Sequence, residues 1–444
     1  MSLQERMDYY LVPGVSIALI NNGQIEWARG FGVAGSGGAV PVTADSVFQA
    51  ASISKTFAAA AVMLMDQSDL IDVDHEVNSY LTSWKIPDNQ YTASQKVLVR
   101  HLLSHTGGTT VSGFTGYRYD ESVPALLQIL DGLPPANSQA IRVEAVPGSR
   151  WNYSGGGTEI LHLLVQEVSG MTYRQYLNDY ILRPLNMMSS DPLQPLLGPL
   201  LSRAVSGHDA YGTTYPGRWY TYPELGAAGL WTTPSDLARF ALSIQSSALG
   251  RTGNLLSPQT VNTMLTSQTS IDGEMNQGLG FMLEGNMFEH SGSNLGFKTL
   301  LVAYRDRGQG AAIMTNGDNG TDLINEIMRS ISRVYGWPDF KPEEQTLASV
   351  PEATLNSYTG RYRQNGGTPV FRIGRTGTGL TLLFEGHSGV AFTLYPVATD
   401  RFLVRCSSLT GSITFTTDSE GTVTGFQFTP KSGSGGIAAT KLPA

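Results

Sequence analysis

Cysteine is almost missing from this chain: Cys406 is the only one in 444 residues. Intramolecular disulfides and cysteine metal clusters are therefore excluded, and the redox compartment is left open. Charge is sparse at 15% of residues, and the formal net charge is −8. With no Lys/Arg cluster of the kind that tracks phosphates, nucleic acid is excluded as an expected partner. No apolar run approaches bilayer-spanning length, so no transmembrane segment is expected. The N-terminus opens on a short polar segment without an apolar signal core.

What is present is an ordered globular composition, 41% hydrophobic with 50 glycines, implying many turns and closely packed backbone. At this length two domains, or one large domain with a small appendage, are expected. The most informative stretch runs from Val47 to Phe57 and contains Ser52-Ile53-Ser54-Lys55. The run Thr56 to Met65 that follows is strongly helix-forming and almost wholly apolar, which predicts a buried helix with Ser52 in its first turn. Lys55, three residues on, projects from the same face, so hydroxyl and amine can meet. A serine hydroxyl needs a neighbour that accepts its proton, and an amine can supply it. Taken alone, the pattern also describes a capping serine beside a solvated lysine.

Along the chain, Val15 to Ile20, the turn Asn21-Asn22-Gly23 and Gln24 to Gly32 read as a hairpin. Val97 to Ser104 reads as a helix closed by Thr106-Gly107-Gly108, with His101 and His105 four apart. No glutamate adjoins the first histidine and no third ligand is evident, so capping and packing, rather than a metal, are expected of them. Tyr153 stands just before a helix expected from about Thr158 to Val168. Further helices are expected over Tyr173 to Ile181, Pro234 to Ile244 and Leu323 to Tyr335. Strands are expected at Gly280 to Leu283, Met287 to Gly292, Thr299 to Tyr304 and Gly310 to Asn316.

Strands at both ends of a long helical insert predict an α/β (α+β) domain. One antiparallel sheet would be flanked by helices, with a cleft between sheet and insert. The expected organisation is a first domain over residues 1–340, a linker over 341–353, and a small all-β domain over 354–444. The last reads as short alternating strands, a filled antiparallel barrel rather than a ligand-holding one.

Three motifs occur in order: Ser52-x-x-Lys55, Tyr153-Ser154-Gly155 and His290-Ser291-Gly292. Together with Leu102 to Gly108, Pro147-Gly148-Ser149 and Thr315 to Gly320, they resemble the serine β-lactamase and penicillin-binding-protein superfamily over about the first 340 residues. The match is to its class C β-lactamase-like branch, with D-alanyl-D-alanine carboxypeptidases, D-aminopeptidases and lactamase-fold esterases.

The resemblance implies Ser52 as nucleophile and Lys55 and Tyr153 as the proton-transfer pair, their division of labour open. His290 would assist ionisation of Tyr153. The backbone N–H groups of Ser52 and Ser293 would form an oxyanion hole, with Gly155, Ser291 and Gly292 against substrate and Gly292 permitting its close approach. No cofactor and no metal are implied.

Two departures bear on the substrate. Gly155 stands where the family usually has asparagine, which removes a side-chain amide. His290 stands where typical β-lactamases have lysine, which removes a fixed positive charge. The expected reaction is acyl-enzyme cleavage of an ester, amide or D-amino-acid peptide in a small molecule or short peptide. The alternatives are β-lactam hydrolysis, or a penicillin-recognising sensor or scaffold without turnover. The absence of any G-x-S-x-G removes the α/β-hydrolase alternative. The resemblance also implies a periplasmic or secreted setting, any leader lying outside these residues, with the cytoplasm as the other setting. It does not fix an oligomeric state.

Overall fold

The hairpin at the start of the chain forms as read. Strands β1 (Gly14–Asn21) and β2 (Gln24–Gly32) pair antiparallel. The turn residues Asn22 and Gly23 both take positive φ, 52° and 72°, which asparagine and glycine tolerate and which matches the twist of the flanking strands. The structure is a computed structural model describing residues 2–35, 38, 40–341, 344–367, 369–377, 379–385, 392–404, 411–430 and 436–443. Cys406 lies outside the described residues.

The chain forms two compact units, Met1–Ile327 and Met328–Ala444. In the first, the remaining strands are β3 (Phe48–Gln49), β4 (Trp231–Thr232), β5 (Thr269–Ser270), β6 (Asn276–Gln277), β7 (Met282–Glu284), β8 (Met287–Asn294), β9 (Phe297–Tyr304) and β10 (Gly310–Thr315). Eight of the strands make one antiparallel sheet in the order β2-β1-β10-β9-β8-β7-β6-β5. Strand β1 pairs with β10 from Val15↔Thr315 to Ile20↔Gly310, so the sheet is built from both ends of the unit, as the strand pattern implied.

The helices are α1 (Leu3–Tyr10), α2 (Ser54–Gln67), α3 (Val99–Leu103), α4 (Leu126–Asp131), α5 (Gly155–Ser169), α6 (Tyr173–Leu177), α7 (Leu225–Ala228), α8 (Pro234–Ala248), α9 (Pro258–Met264) and α10 (Gly320–Tyr335). Helix α8 lies on β1, β9 and β10, while α2, α5 and α7 pack on one another. Helix α2 is buried nearly all round, as its apolar sequence requires. Its Phe57 stacks on Phe240 of α8 with centroids 4.2 Å apart, a buried ring of a kind that stabilises by roughly 1.5–3 kcal/mol. Among the described residues no helix is long and apolar enough to cross a membrane.

Three local readings change. Helix α3 is shorter than its pattern suggested, and His105 lies beyond its C-cap with φ 55°. His101 and His105 are therefore not one helical turn apart on a common face. His101 instead accepts the Leu98 N–H at Nδ1, 3.2 Å. Helix α5 starts at Gly155, three residues early, despite the low helix propensity of Gly155-Gly156-Gly157. Packing overrides propensity here. The Ser154 hydroxyl accepts the Gly157 N–H at 2.8 Å, and the carbonyls of Ser112 and Val111 accept those of Gly155 and Gly156. A Cβ on Gly156 would lie 2.6 Å from the Thr110 carbonyl oxygen. Finally, helix α6 ends at Leu177 and continues as a π-helical turn over Asn178–Leu182.

The second unit contains α11 (Glu352–Tyr358) and a closed antiparallel barrel. Its strands are β11 (Gly360–Gln364), β12 (Val370–Thr376), β13 (Gly379–Phe384), β14 (Phe392–Pro396), β15 (Arg401–Val404), β16 (Gly411–Thr417), β17 (Val423–Pro430) and β18 (Ile437–Lys441). Strand β11 pairs with both β12 and β18, which closes the ring. Tyr362, Phe371, Phe402, Phe415 and Phe426 are buried in one cluster, with Tyr358 stacked on Phe415 at 4.0 Å. Closure removes unpaired strand edges, and the aromatic rings supply the core.

Candidate active site

Strand β3 feeds directly into a single 3-10 turn, Ala51–Ile53, before α2 begins at Ser54. Ser52 thus precedes the α-helix instead of lying in its first turn. The turn is fixed on several sides. The Ala50 N–H donates to the Leu230 carbonyl, and the Ser54 hydroxyl bridges the Ala51 carbonyl and the Leu230 N–H. The Thr299 hydroxyl of β9 donates to the Ala50 carbonyl at 2.9 Å. Ala51 is held at φ 50°, a left-handed conformation that costs a non-glycine residue roughly 1 kcal/mol or more. Ser52 remains half-buried while its neighbours Ala51, Ile53, Ser54 and Lys55 are buried.

Lys55 is 4% exposed, and its ammonium meets two oxygens. Nζ donates to Ser52 Oγ at 3.1 Å and to the Ala227 carbonyl of α7 at 2.9 Å. Tyr153 enters from the loop before α5, its ring centroid 5.1 Å from Lys55 Nζ. His290 enters from β8, with its ring 6.2 Å from that of Tyr153. The ordered motifs therefore meet in space.

His290 is 2% exposed. Burial, reinforced by the Lys55 charge, pushes its imidazole down to about 4. At neutral pH it carries no charge. Nδ1–H donates to the Ser291 carbonyl at 2.6 Å, and Nε2 is buried without a hydrogen-bond partner. The neutral ring therefore offers a lone pair to the site.

Strand β8 pairs with β9 along its length but with β7 only over Met287–Glu289. Residues His290 to Asn294 therefore line an open edge. Asn294 and Phe297 close a two-residue hairpin, so alternate residues turn their backbone groups away from β9. On that alternation the Ser293 N–H faces the open edge, and the side chains of Ser291 and Ser293 are exposed.

Two of the glycines expected against substrate also pack closely against the protein. A Cβ on Gly292 would fall 2.3 Å from the Ala50 carbonyl oxygen and 2.2 Å from Thr299 Oγ1. Gly292 thus permits the close approach of the turn that carries Ser52. Gly155 is buried, and a Cβ there would lie 3.0 Å from Phe114 Cε2. An aromatic ring thus packs where a longer side chain at 155 would begin.

Sequence reasoning gave two neighbours no part in the site. The His105 ring lies 4.5 Å from the Tyr153 ring, and its Nδ1 accepts the Ser154 N–H at 3.3 Å. Burial, with Lys55 and His290 adding to it, holds His105 well below the usual imidazole range. Glu159 of α5 is fully buried and accepts the Ala227 N–H at 2.8 Å. The Leu102 to Gly108 text marked the first, but no sequence pattern pairs Glu159 with Ala227.

Comparison with known proteins gives the chain relatives in sequence and in fold. The chain is 24% identical over 422 residues to Penicillin-binding protein 4* of Bacillus subtilis (strain 168), covering 89% of this chain and 88% of that protein. It is 24% identical over 235 residues to Protein flp of Staphylococcus aureus (strain MW2), covering 50% of this chain and 42% of that protein. The octameric penicillin-binding protein homologue from Pyrococcus abyssi shares the fold with TM-score 0.68 at 22% identity, over 99% of this chain and 98% of that one. The D-amino acid amidase from Ochrobactrum anthropi SV3 shares it with TM-score 0.60 at 20% identity, over 75% of this chain and 98% of that one. Residues 344–435 match a family described as a domain of unknown function (DUF3471). Residues 2–330 match the family described as Beta-lactamase, and the chain belongs to that family.

Proposed function

We propose that this protein is a serine hydrolase that forms an acyl-enzyme on Ser52 and cleaves an ester, an amide or a D-amino-acid peptide bond. The observation that carries the reading is Lys55 Nζ, buried and 3.1 Å from the half-buried Ser52 Oγ. Ser52 Oγ attacks the substrate carbonyl as its proton passes into the Lys55–Tyr153 pair. The developing oxyanion is met by the N–H of Ser52, among the leading N–H groups of its turn, and by the N–H of Ser293 on the open edge of β8. The same pair returns the proton to the departing alcohol or amine. Water then repeats the sequence in reverse and releases the acid. Lys55, anchored on the Ala227 carbonyl, is kept in register with Ser52 throughout.

The site's polarity favours acyl groups that do not depend on a fixed cation or a side-chain amide. Neutral His290 provides no charge for a substrate carboxylate at pH 7, and the ring of Phe114 packs against Gly155. Structural relatives carry matching names: a D-amino acid amidase, a β-lactamase/D-alanine carboxypeptidase, and EstCE1, a hydrolase with promiscuous acyltransferase activity. We place the first domain over residues 1–340 and the small β-domain over 354–444.

The test is a substrate panel run on wild type and Ser52→Ala: short-chain p-nitrophenyl esters, D-amino-acid amides, a D-alanyl-D-alanine peptide and a penicillin. Turnover of an ester or amide, lost in Ser52→Ala and exceeding penicillin turnover, is expected. Turnover that survives Ser52→Ala refutes the nucleophile. Penicillin turned over fastest refutes the substrate reading.

A further inference from the structure

Behind Lys55 lies a buried acid that the reaction as written does not use. Glu159 sits one turn into α5 and is fully buried, a position that a carboxylate occupies only when its oxygens are paired. Both are. Oε1 accepts the Ala227 N–H at 2.8 Å, and Oε2 meets Nδ1–H of His162 at 2.8 Å. The Ala227 peptide is thereby gripped at both ends, its N–H by Glu159 and its carbonyl by Lys55 Nζ. A peptide whose N–H is bonded to an anion is polarised and becomes a stronger acceptor at its carbonyl.

We propose that Glu159 is a positioning residue of the acyl-transfer site, acting through the Ala227 peptide to hold Lys55 on Ser52 and to set a carboxylate behind it. The inference rests on the acyl-enzyme reading above and adds what sets its proton-transfer pair. The other titratable groups around Lys55 contribute little opposing charge. Ser52 and Tyr153 stand in front of it. His105 and His290 are both uncharged at neutral pH. Glu224, just ahead of α7, is buried with neither oxygen hydrogen-bonded. Burial, with the Glu159 charge adding to it, pushes Glu224 up to about 8. At pH 7 Glu224 is protonated, and Glu159 is left as the acid that addresses Lys55.

The test is the rate of fluorophosphonate attachment to Ser52 as a function of pH, read by intact mass in wild type, Glu159→Gln and Glu159→Asp, with thermal midpoints measured alongside. Glutamine keeps the size and the acceptor but removes the charge. It is expected to lower the plateau rate about tenfold, the scale of a hydrogen bond to a charged group. Loss of the carboxylate also removes negative potential from the site, so the acidic limb of the rate moves down by about one pH unit. Aspartate keeps the charge on a shorter arm, so its limb stays at the wild-type pH while its plateau falls. A limb unmoved in Glu159→Gln, or the two variants behaving alike, overturns the proposal. If Glu159→Gln does not fold, a wild-type plateau in Glu159→Asp overturns it. Wild type that takes no label at Ser52 removes the acyl-enzyme reading and this inference with it.

Discussion

Gly292→Ala adds one methyl group where β8 meets the turn that carries Ser52. Gly292 is not among the positive-φ residues, so alanine meets no backbone strain there and its whole effect is steric. The new Cβ would stand 2.3 Å from the Ala50 carbonyl oxygen, 2.2 Å from Thr299 Oγ1 and 3.1 Å from Ala51 Cβ. Ordinary contact requires the strand and the turn to separate by about 1 Å. The Thr299 hydroxyl cannot simply swing aside without losing its bond to the Ala50 carbonyl. Overpacking of this kind costs about 1–3 kcal/mol of stability. Because Ser52 and Ser293 lie on the two sides being separated, a shift of that size also costs roughly 10²-fold in kcat. The assay is p-nitrophenyl ester hydrolysis beside a urea unfolding curve. Gly155→Ala is the control, since its nearest contact is the edge of the Phe114 ring at 3.0 Å, which can turn, and its loss should stay below about tenfold. Gly292→Ala with wild-type kcat and stability would refute the placement of β8 against the turn.

Other perturbations read different parts of the site. Unfolded His290 takes up a proton near its ordinary value of 6.5, but the folded chain does so only near 4. Its contribution to stability is therefore complete above pH 6.5 and falls as pH drops through that window, by about 2 kcal/mol at pH 5. His290→Gln should flatten that dependence in urea unfolding at pH 7 and 5; an unchanged slope contradicts the buried neutral ring. Glu224 has the opposite dependence. Its folded value of about 8 exceeds the ordinary 4.5, so its contribution is lost as pH rises from 4.5 to 8. Glu224→Gln should gain stability relative to wild type at pH 9 more than at pH 5, measured the same way. Tyr153→Phe should lower ester turnover by about 10² or more if the phenol transfers protons, and a loss under twofold would place that role on Lys55 alone.

How much of this was legible in the chain depends on what kind of signal each element carries. The hairpin at Asn22-Gly23, the apolar α2 and the late strands announce themselves through local periodicity and turn chemistry, and each forms where the pattern lies. The meeting of Ser52 with Lys55 is also local, three residues apart on adjoining turns. Tyr153 and His290 reach the same place only through tertiary packing, and it was the order of motifs, not any spacing, that pointed to them. Where local preference and packing disagreed, packing won. Three glycines start α5 because the loop carbonyls of Val111 and Ser112 cap it, and Gly292 faces the Ala50 backbone because β8 is pressed against it. The role of Ala227 was invisible for a stricter reason: it contributes only its peptide, which every residue has.

The most direct measurement is intact mass of the protein after exposure to a fluorophosphonate and, separately, to a penicillin, in wild type and Ser52→Ala, with the modified peptide sequenced. One adduct per chain located on Ser52, absent from Ser52→Ala and accompanied by ester turnover in wild type, is the result the account predicts. A folded wild-type protein that takes no adduct and turns over no ester contradicts it.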